Sequence, residues 1–491
     1  MIPSNYQTKI YEHIQNDQGN AVVEAVAGSG KTTTIVEALN LLPKYTKTLF
    51  VAFNKHIATE LQKRVPYNVE ASTLNATGFR IFRERFRRCR IKETKTIDIL
   101  WFEVLQQSDR NIYYKIRGPV KQLVALFKAY EIKEPTQSDI TYLTSHFDIM
   151  CEEDNWENYA IETLRKSNEQ TFTIDFDDQL YLPLILDLPF PSYDYVFVDE
   201  AQDLSPVQIS LVHKLGKTII AVGDSRQAIY GFRGAAPDAI DNIIQRLSAT
   251  TLPLSICYRC AKNVVLEAKK IVPHIEYADT AEDGIVARRN TAFFDKTVGE
   301  GDYVLCRTMA PLVKDALLKI RNRQKAIVRG REIGENLLSL LDHVTDLDSY
   351  EQQMCEKLKN KESELLAFTD RIDTFRALLD AYGEKGLEAG INELFSNEAK
   401  GIIYSTIHRS KGLETDRVFL LCPELLPHPK CTSDWQRQQE ENLHYIALTR
   451  AKKEFYYVDP KATQEGIDDA ICTTGSGDCV FEECGSNTGT S

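Results

Sequence analysis

Asn20-Ala21-Val22-Val23-Glu24-Ala25-Val26 reads as a buried strand, and Ala25-Val26-Ala27-Gly28-Ser29-Gly30-Lys31-Thr32 follows as a glycine loop that opens a helix. Strand, loop and helix in this order form the setting of a phosphate-binding loop. Small residues let successive backbone amides curl around phosphate oxygens, and the helix start adds its positive end. Residues Ala27, Gly28, Ser29, Gly30, Lys31, Thr32 and Thr33 are therefore the candidate nucleotide cradle. Lys31 is placed to reach the β and γ phosphates of ATP, and Thr32 to ligate Mg2+. Ala25 stands where the common pattern has its first glycine.

Further strands are expected at Thr48–Phe53, Tyr193–Val198 and Lys217–Val222, with helical patterns between them. Ile57, Leu61 and Val65 recur at helical spacing after the second strand. That alternation predicts parallel βαβ units. The strand at Val196-Phe197-Val198 ends in Asp199-Glu200-Ala201-Gln202-Asp203. Acids at a strand end lie beside such a loop, so Asp199 is the candidate Mg2+ partner with Thr32, and Glu200 the candidate base for the attacking water. A second strand-rich block begins near Thr251 and continues at Asp302–Cys306, Gly401–Tyr404 and Arg417–Leu421.

Val222-Gly223-Asp224-Ser225-Arg226-Gln227-Ala228-Ile229-Tyr230-Gly231-Phe232-Arg233-Gly234-Ala235 closely resembles the third motif of UvrD/Rep-type superfamily 1 DNA helicases. Other matches to that family follow in order from Gln7 to Arg450. The resemblance implies that Gln7 reads adenine, that Tyr258 stacks on the base and that Glu414 lies near the ribose. It makes Lys31, Asp199, Glu200, Gln227, Arg259 and Arg450 the catalytic set, with Gln227 sensing the γ-phosphate and the two arginines acting as fingers. Thr406-Ile407-His408-Arg409-Ser410-Lys411-Gly412-Leu413-Glu414 looks like the fifth motif and Tyr445-Ile446-Ala447-Leu448-Thr449-Arg450-Ala451 like the sixth. The implied DNA contacts are Asn54, Lys55, Thr73, Asn75, Tyr230, Phe232, Thr406 and His408, aromatic rings serving to stack bases without regard to sequence.

The fold implied is α/β: two RecA-like P-loop domains with parallel sheets, each carrying a mainly helical insertion. The expected division is 1–82 with 176–250 for the first domain and 83–175 for its insertion. Then follow 251–334 with 399–459 for the second domain, 335–398 for a reduced insertion, and 460–491 for a flexible acidic tail. Within the second insertion Leu365, Phe368, Ile372, Phe375 and Leu379 step by three and four, as a core-facing helix does. The short second insertion resembles the compact F-box DNA helicase and phage-type branch. The expected activity is ATP-dependent translocation on and unwinding of DNA, 3′ to 5′, in repair, recombination or replication. The alternative is a DNA-stimulated ATPase that strips proteins from DNA.

Composition fits that reading. The 491 residues are 43% hydrophobic and 26% charged, the balance of a globular chain of roughly three domains. A net charge of −12 excludes a generally basic coat, so nucleic acid must meet a local basic surface. Arg80, Arg83, Arg85, Arg87, Arg88, Arg90 and Lys92 supply one, interleaved with Phe79, Phe82 and Phe86. The eleven cysteines show no ligand or disulfide spacing, and Cys257 and Cys260 are expected as buried thiols. Expected partners are single-stranded DNA, single-strand/duplex junctions and a recombinase or replication protein, with no membrane. The expected location is cytoplasmic and nucleoid-associated, or nuclear in a eukaryote, and not secreted.

Overall fold

The computed structural model describes residues 3–459 except 148, 150, 152, 230–238, 339, 342–345, 360–361, 396–399, 429–430 and 432–433. The acidic tail from Pro460, with Cys472, Cys479 and Cys484, and the candidate stacking residues Tyr230 and Phe232 lie outside the described residues.

Six strands form a first sheet: β1 Ala21–Ala25, β2 Thr48–Val51, β3 Val69–Ser72, β4 Tyr193–Val198, β5 Gly216–Gly223 and β6 Thr250–Leu254. Their order is β3-β2-β4-β5-β1-β6, with every neighbour parallel. A second sheet holds β7 Ile285–Arg289, β8 Tyr303–Cys306, β9 Ala326–Val328, β10 Ile402–Thr406, β11 Thr415–Leu421 and β12 Ala451–Val458. It runs β7-β12-β11-β8-β10-β9 and is also parallel throughout. The expected class, α/β with two parallel sheets, is the observed one.

Parallel sheets are covered on both faces, which is why the central strands are unbroken apolar runs. Val22, Leu49, Val196 and Val198 enter one core, while Val23, Phe50 and Phe197 enter the core on the opposite face. The helix expected from Ile57, Leu61 and Val65 ends at Gln62, short of Val65. Strands β3, β7, β9 and β12 were not anticipated. The first three are short edge strands, two of them only partly buried. The fourth opens on Lys452-Lys453-Glu454, whose polarity hides the run Phe455–Val458.

The connection from β3 to β4 is mainly helical, with helices at Leu74–Arg85, Arg110–Ala129, Gln137–His146, Trp156–Glu169 and Asp178–Ile185. A two-stranded parallel pair, Arg90–Ile91 with Thr173–Ile174, ties its ends together. From β9 to β10 run helices Arg331–Leu338, Leu347–Leu358 and Glu362–Leu394, the last broken at Gly383. On it Phe368, Ile372 and Phe375 are buried and Leu365 and Leu379 pack beside them, so the stripe faces the core of the second sheet.

Inside the first connection four charges are buried together. Lys128 Nζ lies 2.7 Å from Asp175 and 2.8 Å from Asp178, while Lys95 Nζ lies 2.7 Å from Asp178. Burial alone would raise the Asp175 carboxyl, but Lys128 overcomes it and holds the group below the usual range. Removing one partner of such a cluster leaves an uncompensated buried charge. Lys128→Ala should therefore lower unfolding stability by about 3–5 kcal/mol in urea titrations. A change under about 1 kcal/mol would show that the cluster contributes no net stability.

Candidate nucleotide and nucleic-acid site

β1 ends where the loop begins, and two glycines take left-handed backbone there, Gly28 at φ 69° and Gly30 at φ 80°. A Cβ on Gly28 would lie 2.6 Å from Cβ of Arg259, so only glycine lets the loop approach the segment Cys257–Cys260 this closely. Two backbone bonds hold that approach: Val26 N donates to Leu254 O at 3.1 Å, and Tyr258 N to Gly28 O at 2.9 Å.

Thr32 lies in the first turn of the helix Lys31–Leu41, and its hydroxyl donates to Asp199 Oδ2 at 3.0 Å. Asp199 and Glu200 follow β4. Burial, then the charge of Glu200, pushes the Asp199 carboxyl up to about 6. Burial acts on Glu200 as well, but Lys31 and Lys411 overcome it and leave that carboxyl below its ordinary value. Gln202 Nε2 donates to Glu200 at 2.6 Å and Gln202 Oε1 accepts from Asp224 N at 3.0 Å; Gln227 Nε2 donates to the Asp224 carboxylate.

The second sheet supplies the opposite wall. A cleft of ≈ 500 Å³ is lined by Gly28 to Thr33, Glu200 and Gln227 from the first unit and by Arg259, Lys411 and Arg450. Arg450 is buried, donating to Ile446 O at 3.0 Å, Leu413 O at 2.9 Å and the Thr449 hydroxyl at 3.1 Å. Arg259 Nε pairs with Glu414 at 2.5 Å. Lys411 Nζ spans the two halves, donating to Asp203 at 2.6 Å and to Gln227 O at 2.8 Å.

Of the remaining described candidates, Asn54 is the one among the residues lining this cleft. Gln7 is buried, its Oε1 accepting from Ser4 N and its Nε2 donating to Thr34 at 3.0 Å. Tyr258 is half exposed. Asn54 lines the cleft and caps the helix Lys55–Gln62 through Ile57 N, while Thr73 caps Leu74–Arg85 through Ala76 N. Asn75 Nδ2 donates to Phe176 O at 3.0 Å and lines a second cavity of ≈ 370 Å³ with Phe53. Thr406 ends β10, and burial, with Arg307 nearby, drives the His408 imidazole down to about 3. In the basic run Arg80 pairs with Glu70 and Lys92 with Asp98, which leaves Arg83, Arg85, Arg87, Arg88 and Arg90 exposed. Cys257 and Cys260 are free and buried, and no group of metal-ligating side chains occurs among the described residues.

Lys411, Asp203, Gln202 and Tyr445 had no assigned role from sequence, although each lies inside a quoted motif. The available signal was a lysine beside Gly412 in one motif and a third acid, Asp203, closing another.

Two parallel α/β units meeting across a phosphate-loop sequence define the class. Residues 6–248 match the UvrD/REP helicase N-terminal domain and residues 401–458 the UvrD-like helicase C-terminal domain, and the chain belongs to this UvrD/Rep helicase family. F-box DNA helicase protein 1 of Schizosaccharomyces pombe is 25% identical over 499 residues, covering 88% of this chain and 54% of that protein. F-box DNA helicase 1 of Gallus gallus is 24% identical over 519 residues, covering 91% and 48%. ATP-dependent DNA helicase PcrA of Staphylococcus epidermidis is 27% identical over 312 residues, covering 55% and 40%. The chain thus spans about half the length of the F-box relatives. Among the described residues no helix is long and apolar enough to cross a membrane.

Proposed function

We propose that this chain is an ATP-dependent DNA helicase that translocates along single-stranded DNA. The observation that carries the reading is the cleft in which Lys31 and Glu200 of one unit face Arg259, Lys411 and Arg450 of the other. The domain division 1–82 with 176–250, 251–334 with 399–459, and insertions 83–175 and 335–398 belongs to the same proposal, except that the first domain runs on through β6 to Leu254, which pairs with β1 in the first sheet. So do 3′ to 5′ polarity, single-strand/duplex junctions as substrate, service in DNA repair, recombination or replication with a recombinase or replication protein, and residence where DNA is.

ATP lies with its phosphates in the loop amides of Ala27 to Thr33 and against Lys31, its base beside Tyr258 and Gln7 and its ribose beside Glu414. Glu200 orients a water on the γ-phosphorus and takes its proton; the bond to the bridging oxygen breaks, giving ADP and phosphate. Gln227, Arg259 and Arg450 meet the charge that spreads over the departing phosphoryl group. Thr32 and Asp199, already 3.0 Å apart, suit Mg2+, since a buried acid pair is what a divalent cation neutralises. A cation held by these two residues would offset phosphate charge. Because arginines of one unit reach a phosphate bound by the other, the γ-phosphate favours closure and its loss favours reopening. DNA is held across the units by Asn54, Lys55, Thr73, Asn75, Tyr230, Phe232, Thr406 and His408, and the five exposed arginines from Arg83 to Arg90 hold phosphates beyond that track.

The test is steady-state ATP hydrolysis with no nucleic acid, single-stranded DNA or single-stranded RNA, at two salt concentrations and beside Lys31→Ala. Stimulation by DNA that weakens steeply with salt is expected, with no turnover in Lys31→Ala. Preference for RNA, or turnover in Lys31→Ala, contradicts the reading; stimulation without strand separation on tailed duplexes leaves the protein-stripping ATPase.

The acid limb of the pH profile should report the buried acids Asp199 and Asp203, both pushed up to about 6 by burial. Asp199 is the acid held against Thr32, so Mg2+-dependent kcat/KM should fall as pH drops through about 6 and its charge is lost. Conversely, the free protein gains stability from this group as pH falls, because the folded state holds the proton more tightly than the unfolded one. A profile flat from pH 5 to 8 would count against Asp199 acting as a charged ligand.

A further inference from the structure

We infer that the hydroxyl of Tyr445 is a positioning group that ties the arginine-bearing turn of the second unit to both the phosphate loop and the water-activating acid of the first. The proposal rests on the ATP-site reading above and assigns a residue which that reading does not use.

Tyr445 lies on the helix Asp434–Leu448 and is fully buried. Its hydroxyl accepts from the backbone amide of Ala27 at 2.8 Å and points at Asp224 Oδ2 at 3.4 Å. A phenol has one proton to give and can accept another group's proton, and these two partners use one of each. Burial pushes its pKa far up, with the charge of Asp224 adding to it, so the donor is protonated at any working pH.

Asp224 also accepts from Gln227 Nε2 and from Arg226 N, and its own amide donates to Gln202, whose Nε2 donates to Glu200. A continuous hydrogen-bonded chain therefore runs from the Glu200 carboxylate through Gln202 and Asp224 to Gln227 and to Tyr445, and ends on the loop amide of Ala27. At its other end Tyr445 holds the arginines. Its carbonyl accepts from Thr449 N and from the Thr449 hydroxyl, whose oxygen in turn accepts from Arg450; the Thr449 carbonyl faces Arg259 at 3.4 Å. One residue of the second unit thus bonds through its hydroxyl to the loop and to the chain that reaches Glu200, and through its carbonyl to the turn that carries Arg450. Such alignment acts on the rate of the chemical step more than on ground-state binding, because the arginines and Glu200 gain most from the reacting phosphoryl group.

The experiment compares Tyr445→Phe, Asp224→Asn and the double variant with the parent in the full chain, reading ATP kcat and KM with saturating single-stranded DNA, nucleotide affinity with a fluorescent ATP analogue, and thermal unfolding. Phe keeps the packing and removes only the hydroxyl. A fall in kcat of about 10- to 100-fold is expected with KM and analogue affinity within about threefold. The double variant should lose less than the product of the two single losses, since the bond between the two side chains is shared by both. A parent-like kcat in Tyr445→Phe, or losses that multiply in the double variant, overturns the proposal. A mere drop in thermal midpoint with kcat intact also overturns it, as a structural role alone would give that result. Should Tyr445→Phe not fold, Asp224→Asn carries the same expectation and the same refutation. Loss of turnover in Lys31→Ala beside a parent-like Tyr445→Phe would sink this inference alone, whereas turnover in Lys31→Ala would sink the ATP site itself.

Discussion

Glu200→Gln is expected to bind ATP as tightly as the parent while hydrolysing it about 10²- to 10⁴-fold more slowly. Glu200 sits at a left-handed backbone position, φ 54°, just after β4, which turns its side chain out of the sheet and into the cleft. Gln202 fixes one carboxylate oxygen at 2.6 Å. Burial would raise its pKa, yet Lys31 and Lys411, then the Gln202 amide and Arg450, keep it ionised and so able to accept a proton. The amide variant retains shape and hydrogen bonding and loses only that basicity. It also removes the negative charge beside Asp199, so binding of Mg2+ and ATP should not weaken. The comparison requires single-turnover hydrolysis and equilibrium binding on the same preparation. Turnover within about threefold of the parent would show that another group takes the proton.

How far the site could be read from sequence depended on distance along the chain. Lys31 and Thr32 were legible because strand, loop and helix are consecutive, and Asp199 with Glu200 because an apolar strand ends on them. The central strands β1, β2, β4 and β5 were legible for the same local reason, being apolar on both faces. The sheet order β3-β2-β4-β5-β1-β6 was not, since nothing local says that β5 slips between β4 and β1. Nor were the contacts across the cleft: Lys411 meets Asp203 and Tyr445 meets Ala27, pairs separated by 208 and 418 residues. Gln7 shows the converse. Its position suggested adenine, and its amide is also engaged in a helix cap and a bond to Thr34, a local use that no motif match reveals. Edge strands such as β3 and β7 escaped because partial exposure breaks the apolar run by which a strand is recognised.

The second large effect is expected at Arg450. Arg450→Lys should lower DNA-stimulated kcat by about 10³-fold or more, the range over which an arginine finger acts. The guanidinium lies among backbone oxygens of Ile446 and Leu413 and the Thr449 hydroxyl, which together fix its plane. Burial, then repulsion from Arg259, pushes its pKa down to about 10, so at neutral pH it still carries its charge. That repulsion is informative. Two guanidiniums, Lys31 and Lys411 line one cleft with Glu200 and Asp203, and a polyphosphate is the ligand that turns such crowding of cations into attraction. Lysine keeps the charge but has no rigid fork, so it cannot hold both its carbonyl partners and a phosphoryl oxygen in one plane. Arg259 is differently placed: it is partly exposed and paired with Glu414, so it must exchange that partner for phosphate. Arg259→Lys should therefore be the milder of the two, and Arg450→Lys should affect kcat with little change in ATP affinity. Equal losses at both positions would argue that the two arginines act as a single unit and that burial of Arg450 adds nothing to its effect.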